Sequence, residues 1–304
     1  MRVGVTLTDS RSAVAEARLA EKLGFDYVSV GEHVFFHGPM PNAFVTLAAA
    51  AGATERIRLV SSVALLPLYP PALAAKLVAT LDQVSQGRFE LGVGTGGEYP
   101  QEFEACGVDV ASRSRRLDEA LEVMRLLFKG GPVTYDGEFT QLSGVALEPL
   151  PVQRPGPSVW VGGRRAGARR RAARFGDVWL PYMVTPQMLR EGLEQIHELT
   201  CDEERDGPVA GALFAWCCVG QDGSRARATA IENVSAIYRQ DFTPLADRYL
   251  ITGTPADVTS RLEEFRDAGA EHVLLAVAAP AADREQVIRL LAEHVIPALQ
   301  AARS

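Results

Sequence analysis

An acid and a histidine stand side by side where the second predicted strand ends. The run Val30-Gly31-Glu32-His33 passes from apolar residues straight into this pair. A carboxylate next to an imidazole can supply a general acid or base together with a hydrogen-bonding neighbour. The alternative interpretation is a loop carboxylate beside a packed histidine, and spacing alone does not separate the two.

Two serines interrupt the apolar run 57–66, which predicts the third strand. Ser61 and Ser62 place hydroxyls inside a buried element, where each hydroxyl needs a hydrogen-bond partner. Such a conflict between a residue type and its position often marks a functional site. The alternative is that both hydroxyls bond to the neighbouring backbone.

Glycines cluster after the fourth and fifth predicted strands. The fourth ends in Gly94-Thr95-Gly96-Gly97, which would let a flat or anionic ligand approach the backbone. The spacing is not that of a dinucleotide-binding fingerprint. After the fifth strand, Gly162-Gly163-Arg164 opens a helix, and a helix N-terminus with a nearby arginine can bind phosphate.

Several enzyme classes lack their required residues at the predicted strand ends. There is no lysine for a Schiff base, no Gly-x-Ser-x-Gly motif, and no second carboxylate beyond Glu98 to pair with Glu32 as in a retaining glycosidase. The cysteines show no zinc spacing, so we expect no metal site. These gaps favour an enzyme whose organic cofactor carries the chemistry.

Alternation of strands and helices predicts how these residues are positioned. The predicted strands span 2–8, 26–32, 57–66, 88–95, 158–163, 177–182, 211–219 and 272–279. Eight apolar strands separated by amphipathic helices favour a parallel (β/α)8 TIM barrel, which binds ligands at the C-terminal strand ends. We expect one domain over 1–304, with irregular insertions at 130–157, after strand 4, and at 239–255, before strand 8.

Composition and net charge limit the classes of partner that we expect this chain to bind. The net charge of −7 argues against nucleic acid and anionic membranes as partners. The chain enters a strand pattern at Arg2, and no apolar run is long enough to cross a bilayer, so we expect a cytoplasmic protein without a signal peptide.

Motifs along the whole chain strongly resemble the bacterial-luciferase-like (luciferase-like monooxygenase) superfamily. The similar segments are 70–82, 85–89, 91–94, 116–121, 149–157, 161–163, 175–179 and 253–255, in the same order. FMN-using members typically carry Asn-x-Val-Thr-Gly after strand 4, whereas Gly92-Val93-Gly94-Thr95-Gly96 looks like the branch that uses the deazaflavin coenzyme F420.

The resemblance implies roles for individual residues. It implies a non-proline cis peptide between residues such as Ser62 and Val63, behind the deazaflavin. It places Glu32 and His33 beside the ring, and it places four residues around the phosphate side, namely Thr95, Gly96, Gly162 and Gly163. Two positions depart from the pattern: Gly97 replaces the glutamate of the F420-dependent sugar-phosphate dehydrogenases, and Arg164 replaces a small hydroxyl residue.

The resulting hypothesis is an oxidoreductase that transfers a hydride between coenzyme F420 and a small organic substrate. In it, His33 exchanges a proton with the substrate and Glu32 orients the ring or the histidine. The first alternative is an FMNH2-dependent monooxygenase, and the second is a non-catalytic barrel that binds a flavin or deazaflavin. The resemblance also implies a homodimer.

Overall fold

Short apolar runs form the strands of a closed parallel barrel in the computed structural model, which describes residues 1–201 and 207–301. In these residues the strands are β1 (Arg2–Thr6), β2 (Tyr27–Val30), β3 (Arg58–Ser61), β4 (Phe89–Val93), β5 (Val133–Asp136), β6 (Gln141–Val145), β7 (Val159–Gly162), β8 (Val178–Leu180), β9 (Ala210–Val219), β10 (Ile251–Gly253) and β11 (Ala270–Val277). Eight of them form the barrel in the order β1-β2-β3-β4-β7-β8-β9-β11, and β11 pairs with β1 to close it. The predicted TIM-barrel fold is confirmed.

Helices alternate with the barrel strands. Those of the described residues are α1 (Ala13–Lys22), α2 (Ala43–Ala51), α3 (Pro71–Val84), α4 (Pro100–Ala105), α5 (Arg113–Phe128), α6 (Ala166–Phe175), α7 (Pro186–Thr200), α8 (Gly223–Tyr238), α9 (Ala246–Tyr249), α10 (Pro255–Asp267), α11 (Arg284–Leu290) and α12 (Ile296–Ala301). None of these helices is both long enough and apolar enough to cross a membrane.

The two predicted insertions have short elements of their own. The stretch 130–157 contains the antiparallel hairpin of β5 and β6, in which Val133 pairs with Val145. The stretch 239–255 contains α9 and also β10, which pairs with the end of β9. The sequence did not indicate β10, because a three-residue strand is too short to establish a pattern.

The third strand is shorter than predicted. The apolar run 57–66 suggested one continuous strand, but the β2–β3 ladder ends where Val30 pairs with Ser61. The chain turns at Ser62–Val63 and then meets β4 again at an isolated bridge from Ala64 to Val93. The turn falls at the serines, where the sequence placed polar groups in a buried run.

Apolar side chains pack both outside and inside the barrel. On α5, the i, i+4, i+7 and i+11 positions are all buried in the main apolar cluster, namely Leu117, Leu121, Met124 and Phe128. Inside the barrel, a second cluster comprises Tyr27, Val60, Trp160, Val178, Leu180, Ala212 and Leu274. Because this cluster fills the interior, a ligand has to bind above it, at the C-terminal strand ends, which we call the barrel mouth.

Candidate functional site

Glu32 lies just beyond β2, and its carboxylate is fully engaged. It accepts hydrogen bonds from the backbone N–H groups of Leu65 (2.8 Å) and Ala43 (3.0 Å), from the amide of Asn42 (3.1 Å) and from the hydroxyl of Tyr69 (3.1 Å). Burial raises the pKa of Glu32, while these hydrogen bonds oppose the rise. The carboxylate therefore ties the segment after β3 to the start of α2.

His33 is held by a different carboxylate, which the sequence did not single out. Its Nδ1 lies 3.1 Å from Oε1 and 3.2 Å from Oε2 of Glu102, on α4. Glu102 is fully buried, and its Oε2 also accepts the backbone N–H of Val34 at 3.1 Å. Among the described residues, Nε2 of His33 has no hydrogen-bond partner, so this nitrogen is available to a ligand.

Two neighbouring serines at the end of β3 differ in their hydrogen bonding. The Ser61 hydroxyl donates to the carbonyl of Gly92 and accepts its N–H, both at 2.8 Å, so this serine completes the strand ladder. The Ser62 hydroxyl is buried and has no partner among the described residues. The Ser62–Val63 peptide bond is cis, as the family resemblance implied.

Two of the predicted rim glycines make room for the side chain of Val63. A Cβ on Gly94 would overlap Cγ2 of Val63, and a Cβ on Gly162 would lie 2.9 Å from its Cγ1. The side chain that follows the β3 turn therefore packs between the ends of β4 and β7. Packing against a protein side chain therefore accounts for the missing Cβ at Gly94 and Gly162, and that these glycines also admit a ligand stays a prediction.

The loop after β4 carries the remaining rim residues. Thr95 is half-buried, and its hydroxyl has no partner in the described part of the chain. Gly96 and Gly97 have φ angles of +60° and +104°, which favour glycine. A Cβ on Gly97 would lie 2.8 Å from Nε of Arg113, so a guanidinium lies directly against this glycine.

The predicted phosphate side follows β7. Gly163 (φ +110°) leads into the N-terminal end of α6. Arg164 is exposed and donates to the carbonyl of Met183 at 2.8 Å, and its guanidinium lies 5.5 Å from the ring centre of Tyr182. Arg164 thus covers the ends of β7 and β8 and remains accessible to an anion.

Aromatic side chains that the sequence did not indicate line the other side of the mouth. Phe36 stacks on His33 with ring centres 4.4 Å apart and meets Tyr238 edge-on at 6.3 Å. The indole N–H of Trp216 donates to the Tyr238 hydroxyl at 3.3 Å. These residues come from β9, α8 and the loop after β2, so only the closed barrel brings them together.

A polar pair completes the rim. The hydroxyl of Tyr182 donates to Glu98, and burial together with this carboxylate raises the pKa of Tyr182. In the described ranges, no three His, Cys, Asp or Glu side chains are grouped as a metal ion would require.

Comparison with known proteins gives one family over nearly the whole chain. The family model described as luciferase-like monooxygenase matches residues 3–295. An uncharacterized protein of Mycobacterium tuberculosis is 35% identical over 185 residues, which span 60% of this chain and only 63% of that protein. The 5,10-methylenetetrahydromethanopterin reductase of Archaeoglobus fulgidus is 26% identical, covering 93% of this chain and 94% of the reductase. The F420-dependent glucose-6-phosphate dehydrogenase of Microbacterium testaceum is also 26% identical, covering 93% and 91%.

Solved structures share the fold. A monooxygenase from Streptomyces bottropensis has a TM-score of 0.84 at 25% identity and covers 98% of this chain and 99% of its own. An F420-dependent secondary alcohol dehydrogenase superposes with a TM-score of 0.86 at 23% identity, covering 98% of both chains. The oxygenating component of 3,6-diketocamphane monooxygenase from Pseudomonas putida, in complex with FMN, reaches 0.81 at 19%, again covering 98% of both.

Proposed function

This chain belongs to the luciferase-like monooxygenase family, and we propose that it transfers a hydride between coenzyme F420 and a small organic substrate. Members of this superfamily are oxidoreductases or monooxygenases, and the relatives support a flavin or deazaflavin cofactor. The choice of F420 is supported by the relative named as F420-dependent that matches over more than nine tenths of both chains. It is also supported by the Gly94-Thr95-Gly96 run.

The observation that carries the proposal is the setting of His33 at the barrel mouth. One ring nitrogen is bound to a buried carboxylate and the other has no partner among the described residues. A substrate that gains or loses a hydride at a carbon–oxygen or carbon–nitrogen bond also exchanges a proton at the heteroatom. A histidine with one available nitrogen at the mouth suits that exchange.

The residues around the mouth fit a deazaflavin. The buried Ser62 hydroxyl has no partner in the described part of the chain, so it can bond to the ring system. Thr95, Gly163 and Arg164, with the N-terminal end of α6, would hold the phosphate. The bound deazaflavin would accept or supply the hydride. The aromatic residues Phe36, Trp216 and Tyr238 would exclude water and contact an apolar substrate.

The cofactor preference can be tested directly. The protein is titrated with F420 and, separately, with FMN, and binding is followed by fluorescence quenching. Micromolar or tighter binding of F420 with at least tenfold weaker binding of FMN is expected. Binding of FMN with no response to F420 would reverse the assignment.

Replacing the proposed proton-exchange residue should separate chemistry from binding. We expect His33→Ala to lower kcat by about 100-fold or more, because general acid–base catalysis typically contributes that much. The F420 dissociation constant should change less than threefold. The matched control is His37→Ala, at an exposed histidine of the same loop. An unchanged kcat in His33→Ala would refute the role of His33.

The second candidate is an FMNH2-dependent monooxygenase, which is favoured by the likeness to the Streptomyces monooxygenase at 25% identity. In that case, reduced FMN and oxygen would support turnover and F420 would not.

A third candidate, a barrel that binds the cofactor without turnover, requires binding with no activity toward any alcohol, ketone or imine. We further propose that the protein is a cytoplasmic homodimer that acts on a small molecule and binds neither nucleic acid nor membrane.

A further inference from the structure

Glu102 lies on α4, in the segment that follows β4, yet it contacts the loop after β2. Its two oxygens lie 3.1 and 3.2 Å from Nδ1 of His33, and Oε2 also accepts the N–H of Val34 at 3.1 Å. None of its surface is exposed, whereas the histidine side chain is 15% exposed. The backbone N–H of Val34 is a donor, so Oε2 accepts a hydrogen bond, and the imidazole of His33 is the side chain that this buried carboxyl group contacts.

In its charged form, Glu102 determines which imidazole nitrogen carries the proton. A charged carboxylate only accepts hydrogen bonds, so Nδ1 is then the N–H donor and the neutral ring has its lone pair on Nε2. Phe36 stacks against the ring at an interplanar angle of 20°, which opposes rotation about the side-chain bond. The histidine is thereby held with its basic nitrogen directed away from Glu102.

Glu32 does not provide this contact, although it is the direct chain neighbour of His33. Its carboxylate already accepts from four donors, at Asn42, Ala43, Leu65 and Tyr69. The two acids therefore have separate tasks. Glu32 organises the backbone around the mouth, and Glu102 contacts the imidazole.

We infer that Glu102 is the positioning residue of the site, holding His33 as the Nδ1–H tautomer so that Nε2 exchanges the substrate proton. This inference rests on the proposed function for its catalytic consequence, but the tautomer itself is a property of the protein alone. During substrate oxidation Nε2 takes the proton from the substrate heteroatom, and during reduction it returns the proton. Glu102 stabilises the imidazolium that exists between these events.

The tautomer can be measured without any cofactor or substrate. The chain has five histidines, so side-chain 15N spectra of histidine-labelled protein contain few signals, and His33→Gln assigns the relevant one. At a pH about two units above the ordinary histidine value of about 6.5, we expect the Nδ1–H tautomer in the wild type. In Glu102→Ala the signal should move toward the Nε2–H tautomer. A wild-type signal in the Nε2–H form would overturn the inference, even if Glu102→Ala did not fold.

Kinetics supply the second readout. Glu102→Ala should lower kcat by about tenfold or more, as loss of a histidine-orienting carboxylate does elsewhere, with the cofactor dissociation constant within twofold. Glu102→Gln keeps an acceptor oxygen and should recover part of kcat. The matched control is Glu104→Gln, at an exposed acid of the same helix, with kcat unchanged. A Glu102→Ala variant that folds and keeps its wild-type kcat and tautomer would overturn the inference.

The two failures are distinguishable. If the protein did not use F420, the wild type would show no F420-dependent turnover, but the Nδ1–H tautomer would still be seen and would still depend on Glu102. If Glu102 did not position His33, F420-dependent turnover would be present and both readouts would be unaffected in Glu102→Ala.

Discussion

Val63 shows, at the scale of single residues, why glycines surround the mouth. Its two methyl groups lie where a Cβ on Gly94 or Gly162 would be placed, at the ends of the two strands that follow β3 around the barrel. Close-packed interiors tolerate added atoms poorly, because neighbouring side chains must leave their preferred rotamers. The glycines at these positions are therefore required by packing against a protein side chain.

Adding one methyl group at this contact should destabilise the fold. We expect Gly94→Ala to lower the free energy of unfolding by about 1–3 kcal/mol through overpacking, measured by urea denaturation. Gly52→Ala is the matched control, since Gly52 has φ −70° and its Cβ would meet nothing closer than 3.7 Å. Combining Gly94→Ala with Val63→Ala should restore part of the loss. Equal stability of the two single variants would contradict the packing explanation.

Arg284 joins three elements where the first and last barrel strands meet. Its guanidinium donates to the carbonyls of Thr6 and Val277, both at 3.1 Å, and to the carboxylate of Glu16 at 2.8 Å. The residue is only 8% exposed. One side chain at the start of α11 thus satisfies the ends of β1 and β11 and anchors α1.

Removing this guanidinium should weaken barrel closure. We expect Arg284→Met to lower the free energy of unfolding by about 3 kcal/mol, because it leaves a mostly buried carboxylate without its partner. Arg289→Met on the same helix is the control. Its pair with Glu285 is exposed and should contribute less than about 1 kcal/mol. Thermal denaturation of both variants would test this, and losses of similar size would refute the special role of Arg284.

At the scale of the whole molecule, polar side chains from different strands contact one another inside the N-terminal end of the barrel. The Tyr27 hydroxyl accepts from Arg2 at 3.3 Å and lies 3.1 Å from Nδ1 of His272. Glu90 pairs with Arg58 and accepts the indole N–H of Trp160 at 2.5 Å. These six residues come from six strands, so their hydrogen bonds fix the strands relative to one another. Burial, with a smaller effect of Glu90, raises the pKa of Tyr27 to about 12.

This raised pKa predicts a loss of stability in alkali. The folded pKa of Tyr27 lies above the unfolded value of about 10. Its contribution to stability is therefore complete below that value and is lost as the pH rises through about 12. We expect the free energy of unfolding to fall more steeply between pH 10 and pH 12 in the wild type than in Tyr27→Phe, by up to about 2 kcal/mol. Below pH 9 the two curves should run parallel. Parallel curves throughout would contradict the prediction.

The local sequence pattern was sufficient to predict most of the fold of this protein. Apolar runs and helical spacing located all eight barrel strands, because strand and helix periods are properties of neighbouring residues. The C-terminal ends of all strands of a parallel barrel lie on the same face. This rule placed Glu32, His33 and the glycine runs at one mouth. The three-residue β10 and the early end of β3 at Ser61 lay below what such patterns resolve.

The tertiary structure alone decided which side chains and backbone groups the residues at the mouth contact. Glu102 reaches His33 across 69 positions of sequence, and Val63 reaches Gly162 across 99. The adjacent acid Glu32, which the sequence suggested for the histidine, turns to four other donors instead. Sequence spacing reports distance only within one helix or strand. Which carboxylate meets an imidazole depends on how the barrel closes and on which donors remain unsatisfied there.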